Sequence, residues 1–371
     1  MPLPLTDVFA DVPDPRRDLN KQHALVDILV VATCAVISGA EGWDQVAEYG
    51  RRKEAFFRRF LTLANGIPSH DTFGRVFAAL DPTAFADRFA RWMASACERT
   101  GLVPVAIDGK SARRSKRATA TGCLHLVSAW ATANGVTLGQ VSVPDGSNEV
   151  AAIPALLRTL DLAGAIVTID AAGCQVANAA EIRRQGGHYL LAVKGNQPAL
   201  RAAVEGVFDR ACEADFAGAE FGGHEAVEDG HGRHEERYVT VIYDPDGLPP
   251  EWPGVAAVVQ VNRVREVGGK RTQATHYYLT SHRAAAEELG DRVRGHWAIE
   301  NQLHWVLDVA FREDESRTRA GHAGANLAMA RRVAVSLLKR VEAKGSIHTR
   351  RLMAAWDDEF LLKVVQGIPA V

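Results

Sequence analysis

Three ionisable residues recur at four-residue steps in the segment HWAIENQLHWVLD, residues 296–308. Glu300, His304 and Asp308 therefore stack on one side of a predicted helix, beside an apolar stripe that faces a core. Ionisable groups in that position pair with each other, stay solvated, or serve a site that needs their charge. A solvated flank is the usual outcome for an isolated case, so Glu300 must be judged together with acidic residues elsewhere in the chain.

Two aspartates each close a short apolar segment with the pattern of a buried strand. Asp108 ends VPVAID and Asp170 ends AIVTID, and small residues follow both of them. A carboxylate at the carboxyl end of a buried strand lies where the crevice of an α/β sheet opens. Asp-Gly is also common turn chemistry, so either aspartate taken alone could equally well start a turn.

The chemistry of these acids depends on whether they converge. Two carboxylates close together repel, and one takes up a proton unless a cation lies between them. Mg²⁺ or Mn²⁺ suits oxygen ligands and leaves coordination places for water and substrate phosphate. A third carboxylate on a returning helix completes a site for two ions, which activate the attacking oxygen and stabilise the leaving oxygen. Glu300 is the candidate for that third carboxylate.

The elements around the aspartates predict a mixed α/β fold. LHLVSAWATANGVTLGQVSV has the pattern of two strands joined by Asn134-Gly135, a strong hairpin signal. Helical and strand patterns then alternate as far as HYLLAV, which gives the order strand, strand, strand, helix, strand, helix, strand. In an RNase-H-like sheet of this order the first and fourth strands are neighbours. Asp108 and Asp170 would then face each other.

Changes in pattern divide the chain into four parts. Residues 1–97 have helical apolar spacing and predict an N-terminal helical domain, expected to be associated with DNA binding. Residues 98–197 form the first part of the RNase-H-like core. Residues 198–285 alternate between Gly- and Pro-rich turns and predict a β-rich insertion. Residues 286–371 complete the core with the helix of Glu300 and end in basic helices.

Length and composition argue against several classes of protein. The chain has 371 residues and 47% hydrophobic content, enough for a globular protein with two or three structural units. The longest apolar run, ILVVATCAVI, is about half of the ~20 residues that span a bilayer, and the N-terminal segment lacks the pattern of a secretion signal. We therefore expect a cytoplasmic protein. Five scattered cysteines without a CxxC pair argue against a disulfide framework or a zinc knuckle.

Basic residues are clustered although the net charge of −2 gives no global attraction to nucleic acid. One cluster follows Asp108, one lies on an N-terminal helix, and one extends through the C-terminal segment. Each cluster alone is more often a solvated face than a binding site. The three clusters are Lys110, Arg113, Arg114, Lys116 and Arg117; Arg51, Arg52, Lys53, Arg58 and Arg59; and Arg331, Arg332, Lys339, Arg340, Arg350 and Arg351.

Several motifs in one order resemble the DDE transposases of bacterial insertion sequences, and the H-repeat-associated type in particular. They are VPVAIDGK, SNEV, VTIDAAGCQ, YLLAVKGNQ, HGRHEER, YYLTS and VRGHWAIENQLHWVLDVAFREDESR. Ahead of them, DPR, LVDILVVATCAVISGAEGWDQVAEYG and PSHDTFGRVFAALDP match the domain that such transposases carry before the catalytic core. The resemblance covers nearly the whole chain, and it is specific because the motifs are collinear.

The resemblance implies both a reaction and its participants. Asp108, Asp170 and Glu300 match the catalytic acidic triad, which binds two Mg²⁺ or Mn²⁺ ions. The implied reaction is endonucleolytic hydrolysis at the ends of a mobile element, followed by attack of the freed 3′-hydroxyl on target DNA. The implied partners are terminal inverted repeats and target DNA. We expect a homodimer in the DNA complex, because two element ends must be brought together.

The sequence departs from the wider class around the glutamate. That class commonly has Arg four residues and Tyr seven residues before the glutamate, and Lys seven residues after it; here those positions hold His296, Val293 and Leu307. Arg294 is a candidate to replace some of the missing charge. The residues that we expect to contact DNA around the crevice are Lys110, Arg113, Arg114, Lys194, Asn196, Gln197, Arg294, His296 and His304.

Some interpretations stay open. Trp297 and Trp305 could stack on an unpaired base, but tryptophans at this spacing more often belong to a core. His231 and His234 favour a loop or DNA contact over a metal site, because no further ligand pair accompanies them. Two alternative functions remain: a catalytically inactive or domesticated DNA-binding descendant, and an RNase-H-like nuclease that hydrolyses DNA without joining it.

Overall fold

The computed structural model describes residues 4–18, 21–95, 102–116, 122–230 and 232–366. The helices are α1 (Pro4–Ala10), α2 (Leu25–Ile37), α3 (Trp43–Arg52), α4 (Glu54–Phe57), α5 (His70–Ala79), α6 (Pro82–Ser95), α7 (Glu149–Thr159), α8 (Val176–Arg184), α9 (Pro198–Glu213), α10 (Ala286–Gly295), α11 (Trp305–Phe311), α12 (Ala323–Arg340), α13 (Ile347–Trp356) and α14 (Asp358–Gln366). The strands are β1 (Val103–Ala112), β2 (Leu124–Ala131), β3 (Val136–Ser142), β4 (Ala165–Ile169), β5 (His188–Val193), β6 (Phe221–Gly230), β7 (Arg233–Tyr243), β8 (Ala257–Val267) and β9 (Lys270–Thr280).

The chain divides into two compact units. The first consists of Met1–Glu98, Gly109–Asn148 and Ile299–Val371, and the second of Arg99–Asp108 and Glu149–Ala298. The chain therefore changes unit inside β1, directly after Asp108, and again two residues before Glu300. The four-part division expected from the sequence stays a prediction.

The second unit is built on a mixed sheet with the strand order β1-β4-β5-β9-β8-β7-β6. β1, β4 and β5 are parallel, and helices α7 and α8 make the crossovers that parallel strands require. The remaining pairs are antiparallel. β1 pairs with β4, and this confirms the order predicted for an RNase-H-like sheet.

One face of that sheet is covered by helix α10. Val239, Val241, Val259 and Val261 on the strands pack against Leu289 of the helix, and all of these side chains are buried. This apolar contact fixes α10 over the sheet, because removing such side chains from water is the main favourable term in packing. The face covered by α10 is called the helix face below.

The first unit is centred on α12. This helix contacts α2, α5, α6 and β3, and most of its side chains are buried. Its Asn326 donates hydrogen bonds of 2.9 Å to the carbonyl oxygens of Phe77 and Leu80, at the end of α5. Helix α2, which holds the longest apolar run of the sequence, is buried on almost all sides. An all-round apolar helix is expected in such a position.

Local sequence signals predicted several elements correctly. β2 and β3 form the hairpin expected around Asn134-Gly135, and Gly135 has a φ of 66°, which a non-glycine residue rarely adopts. The predicted strands of the insertion are β7, β8 and β9. Two elements there were not predicted: residues 198–213 form helix α9, and the polar segment FGGHEAVEDG forms β6.

The C-terminal basic cluster differs from a solvated face. Arg331, Arg332 and Arg351 are buried, with 3%, 0% and 3% of their surfaces exposed. Arg332 pairs with buried Glu313 at 2.8 Å and also donates to the hydroxyl of Ser128 at 3.0 Å. These arginines therefore belong to the interior of the first unit.

The cysteines of the described ranges differ in burial. Cys34 and Cys174 are buried free thiols, Cys123 is partly buried and Cys212 is exposed; Cys97 lies outside the described residues. Among the helices within the described ranges, none combines the length and apolar character needed to cross a bilayer.

We predict that Arg332→Met lowers the free energy of unfolding by about 3–5 kcal/mol, because it leaves the buried carboxylate of Glu313 without its partner. Urea unfolding followed by circular dichroism measures this change. The double variant Arg332→Met/Glu313→Leu should recover part of the loss. The exposed pair of Arg58 with Glu54 at 2.7 Å is the control, since Arg58→Met should cost less than about 1 kcal/mol. Equal losses from the two arginine substitutions would contradict the prediction.

Candidate active site

Asp108 and Asp170 lie side by side in the second unit. The parallel register pairs Ala106 with Thr168 and Ile107 with Ile169, so the two aspartates are the next residues on neighbouring strands. Side chains alternate along a strand, and adjacent strands lie roughly 4.8 Å apart. Both carboxylates therefore project from the helix face, and both residues are half-buried. Asp170 directly follows β4, as expected from the sequence. Asp108 instead lies inside β1, which continues to Ala112, so the expectation that Asp108 ends its strand was wrong.

Asp170 also organises the turn that follows β4. Its Oδ1 accepts hydrogen bonds from the backbone N–H groups of Ala172 at 3.1 Å and Gly173 at 3.3 Å. A Cβ at Gly173 would lie 2.2 Å from Cγ2 of Ile169, so only glycine fits there. The turn interpretation of this aspartate is thus correct, and it is compatible with a second role for the carboxylate.

Asn196 and Gln197 brace the same turn. Asn196 donates from its amide to the carbonyl oxygen of Ala171 at 2.6 Å, and Gln197 donates to that of Cys174 at 2.9 Å. These contacts hold the loop after β5 against the loop after β4. Contact of Asn196 and Gln197 with DNA stays a prediction.

Cys174 is a buried free thiol four residues after Asp170. Burial, and secondarily the negative charge of Asp170, raises the pKa of its thiol to about 12.

The helical segment after α10 is attached to β4. Nδ1 of His296 lies 2.9 Å from the hydroxyl oxygen of Thr168, which is two residues before Asp170 and on the same face of the sheet. Arg294, two residues before His296, forms an ion pair with Glu228, which also pairs with Arg237 at 2.8 Å. Much of the charge of Arg294 is therefore balanced inside the protein.

Basic residues form a row on the helix face, and the sequence analysis predicted one of them, Lys194, but missed the other two, His276 and Arg263. Lys194 directly follows Val193, which pairs with Tyr277, so Lys194 stands beside His276. His276 pairs with Val261, and Arg263 is the next residue of β8 on that face. Burial, with the cations Arg263 and Lys194 nearby, lowers the pKa of His276. The alternation in VQVNRVRE could have indicated the position of Arg263.

Lys194 and Arg263 differ from most basic residues of the second unit. Within the described ranges, neither forms an ion pair with a carboxylate at 4.0 Å or less, and the Lys194 side chain is exposed. The row Lys194, His276 and Arg263 begins on β5, the neighbour of β4, and extends away from Asp170. This row is called the basic row below.

Glu300 and His304 lie in the first unit, on a π-helical segment between residues 300 and 304. Nδ1 of the buried His304 is 3.6 Å from Oε2 of Glu300, whose side chain is 51% exposed. A π-helical turn widens the spacing of side chains and often occurs at functional sites. The apolar stripe predicted for this helix is observed, since Ile299, Leu303 and Leu307 are fully buried.

The basic loop after Asp108 is tied to acidic residues of the first unit. The ammonium group of Lys110 is 2.7 Å from Asp308 and 3.3 Å from Asp314, and Arg113 is 3.1 Å from Asp314. The Lys110 side chain is only 8% exposed. These pairs give Lys110 and Arg113 a structural role, while their contact with DNA stays a prediction, as it does for Arg114.

The two tryptophans near Glu300 correct an expectation. Trp297 and Trp305 are 60% and 61% exposed, so the preference for a core position was wrong. Both tryptophan rings are therefore exposed to solvent and are not part of a core.

His234 contacts the carboxylates of Asp229 and Glu236, whose hydrogen bonds raise the pKa of the His234 imidazole. His231 and Arg117 lie outside the described residues.

The chain matches two protein-family models that together span most of its length. Residues 6–93 match the DDE_Tnp_1-associated model, and residues 99–337 match the Transposase DDE domain. The second match covers more than half of the chain. The protein therefore belongs to the family of DDE transposases.

Several known proteins are similar to this chain. The chain is 35% identical over 372 residues to the "H repeat-associated putative transposase YhhI" of Escherichia coli strain K12, covering 98% of each chain. It is 46% identical over 282 residues to a protein of Xanthobacter autotrophicus described as lying in the dhlA 3′ region, covering 74% of this chain and 94% of that one. It is also similar, at 10% identity and a TM-score of 0.42, to a chain in the cryo-EM structure of a piggyBac transposase synaptic complex with hairpin DNA, covering 100% of this chain and 78% of that one.

Neighbouring residues of the loop after β5 should respond differently to truncation. We predict that Asn196→Ala lowers the free energy of unfolding by about 1 kcal/mol, because the carbonyl of Ala171 loses its hydrogen bond. Lys194→Ala should change it by less than about 0.5 kcal/mol, since that side chain is exposed. Chemical denaturation of the two variants makes the comparison. The bracing role of Asn196 is wrong if the two variants are equally stable.

Proposed function

We propose that the chain is a metal-dependent DNA transposase whose catalytic residues are Asp108, Asp170 and Glu300. The observation that carries the proposal is the register of β1 on β4, which sets two half-buried carboxylates next to each other on one face of the sheet. Membership of the DDE family supplies the reaction class, and the family implies the use of a divalent metal. The proposed reaction is cleavage at element ends followed by strand transfer.

The attachment of His296 supports the inclusion of Glu300. His296 is held by Thr168, two residues before Asp170, and both His296 and Ile299 have right-handed helical backbone angles. Glu300 follows four residues after His296 in the sequence. We therefore propose that the Glu300 carboxylate completes the set begun by the two aspartates.

The donor set fits a hard divalent cation. Two adjacent carboxylates in a half-buried position are stable together when a cation balances their charge. Mg²⁺ or Mn²⁺, as one ion or two, would supply Lewis-acid activation of a phosphoryl centre and of an attacking oxygen there. Within the protein, the amide hydrogens donated to Oδ1 of Asp170 orient that carboxylate before any ligand arrives.

The basic row would hold the DNA backbone beside the acidic pair. Lys194 and Arg263 can each contact a phosphate, and His276 between them can donate one hydrogen bond. Such contacts give affinity without sequence preference. The wider class has basic residues near the glutamate that this chain lacks. Arg294 is paired with Glu228, so the basic row is a better candidate than Arg294 to replace those contacts with DNA. The exposed rings of Trp297 and Trp305 are available for stacking on unpaired bases.

We predict that Asp108→Asn, Asp170→Asn and Glu300→Gln each slow cleavage of a duplex carrying the terminal repeats by roughly 100-fold or more, the scale on which one preorganised charged group acts. The assay contains Mg²⁺ or Mn²⁺ and resolves nicked, cut and strand-transfer products on a gel. Glu287→Gln is the control, because Glu287 is an exposed acid on α10 that is not one of the three proposed catalytic residues.

Each product pattern has a defined meaning for the proposal. Cleavage with joining to a plasmid target supports a transposase, whereas cleavage without joining indicates a nuclease. Specific binding of the repeats without cutting by the unaltered chain indicates a DNA-binding descendant. Normal cutting by all three acid variants would show that the site assignment is wrong.

A second prediction concerns the basic row. Lys194→Ala and Arg263→Ala should each make the plot of log affinity against log salt concentration shallower by about 1, as expected when one phosphate contact is lost. Fluorescence anisotropy with a labelled duplex at several salt concentrations measures the slope. Arg271→Ala is the matched control, because Arg271 lies on β9 with its side chain 67% exposed on the opposite face of the same sheet. An unchanged slope for both variants would exclude the row from the DNA contact.

A further inference from the structure

The first unit contains a cavity whose wall includes none of the three proposed catalytic acids. Its volume is about 680 Å³. The wall is dominated by arginines with few acids to balance them. Five arginines and two glutamates face it: Arg114, Arg312, Arg317, Arg319, Arg331, Glu41 and Glu315.

Arg331 forms the buried part of the wall. Only 3% of its surface is exposed, and burial lowers the pKa of its guanidinium group. The neighbouring Arg332 takes the buried carboxylate of Glu313 at 2.8 Å. Across the described ranges, Arg331 has no ion pair at 4.0 Å or less. The charges of Glu313 and Glu41 offset only part of the effect of burial on Arg331. A ligand of opposite charge would therefore stabilise this position.

The other arginines of the cavity differ in how they are balanced. Arg312 forms an ion pair with Glu315 and lies 3.4 Å from Glu41. Both glutamates of the wall are therefore paired with Arg312. Arg317 and Arg319 form no ion pair with a carboxylate in the part of the chain that the structure describes, and Arg319 instead donates to the carbonyl of Arg114 at 2.8 Å. The cavity therefore carries an excess of positive charge at its rim as well as at its base.

An aromatic ring closes one side of the cavity. Trp43 is half-buried, and its ring centroid is 4.7 Å from that of Phe77. Gly74 makes room for this ring, since a Cβ there would lie 3.2 Å from Cδ1 of Trp43. A flat apolar ring beside guanidinium groups suits a nucleotide unit, whose base or sugar is apolar and whose phosphate is anionic.

The loop that carries Arg317 and Arg319 is held in place before any ligand binds. Gly321 has a φ of 48°, and a Cβ there would lie 2.3 Å from the carbonyl oxygen of Ala78. The next residue, His322, donates its backbone N–H to the same carbonyl at 2.9 Å. Arg312 at the other end of the loop has a φ of 49°, which is unusual for a non-glycine residue. A fixed loop loses little entropy when it binds a ligand.

We propose that this cavity binds a phosphodiester group of DNA, with Arg331 and Arg317 on the phosphate and Trp43 against the attached nucleoside. The inference rests on the proposed function only in taking DNA as the partner. It makes the cavity, whose wall includes Arg114 from the segment after Asp108, a DNA contact in addition to the basic row.

The test measures DNA binding without any divalent metal, so it does not depend on catalysis. Affinity for a duplex with terminal repeats is measured by fluorescence anisotropy in EDTA at several salt concentrations. Arg331→Gln should make the salt slope shallower by about 1, and so should Arg317→Ala/Arg319→Ala, in which Arg317 is the residue placed on the phosphate. The double variant covers the case in which Arg331→Gln fails to fold, since both of its residues are exposed. Arg184→Ala, an exposed arginine paired with Glu181, is the control and should leave the slope unchanged.

A second measurement separates DNA from a free phosphate compound. The melting temperature of the chain is recorded with inorganic phosphate and with sodium chloride at equal ionic strength. Stabilisation by phosphate that disappears in Arg331→Gln, together with the shallower slope, supports the proposal. Stabilisation by phosphate with an unchanged DNA slope assigns the cavity to a free anion and overturns it. Unchanged slopes in both variants without phosphate stabilisation also overturn it, whatever the cleavage assay shows.

Discussion

The parallel pairing of β1 with β4 is the constraint on which the candidate site depends. Val105, Ile107, Val167 and Ile169 are buried on one face, so the opposite face receives Asp108 and Asp170 by alternation alone. A slip of one residue in either strand would bury a carboxylate among those apolar side chains. The free energy of packing therefore fixes the acids beside each other, although their mutual repulsion opposes that arrangement.

The charged side chains of this protein differ in burial, and the difference follows the partners that each one has. Arg332 is fully buried and tolerates burial because Glu313 accompanies it, whereas Arg331, the next residue, opens onto a cavity instead. Lys110 is buried between two aspartates, and Lys194 is exposed without one. Clusters of basic residues in the sequence thus contain two kinds of cation: those paired with a carboxylate inside the protein, and those available to bind an anionic ligand. Only the contacts in the folded structure distinguish the two kinds.

The sequence predicted correctly those elements whose formation depends on residues close together in the chain. The adjacency of β1 and β4 followed from the order of elements, and the β2–β3 hairpin followed from Gly135, which readily takes a positive φ. β6 was missed because its pattern is polar and its hydrogen bonds come from β7, a long-range partner. The burial of Arg331 and the exposure of Trp297 were missed for the same reason, since neighbours distant in sequence decide them.

The departures from the wider class around Glu300 have a physical counterpart in the sheet. His296 stands where that class commonly has arginine, and it is used to attach the helical segment to Thr168 of β4. A guanidinium group at 296 would bring a permanent charge to that contact with a buried hydroxyl, at the cost of desolvation. Arg263 instead carries its charge on β8, and Lys194 directly follows β5; the register of both strands is fixed by hydrogen bonds. The positions of these two cations are therefore set by the sheet and do not depend on ordering a long side chain on a helix.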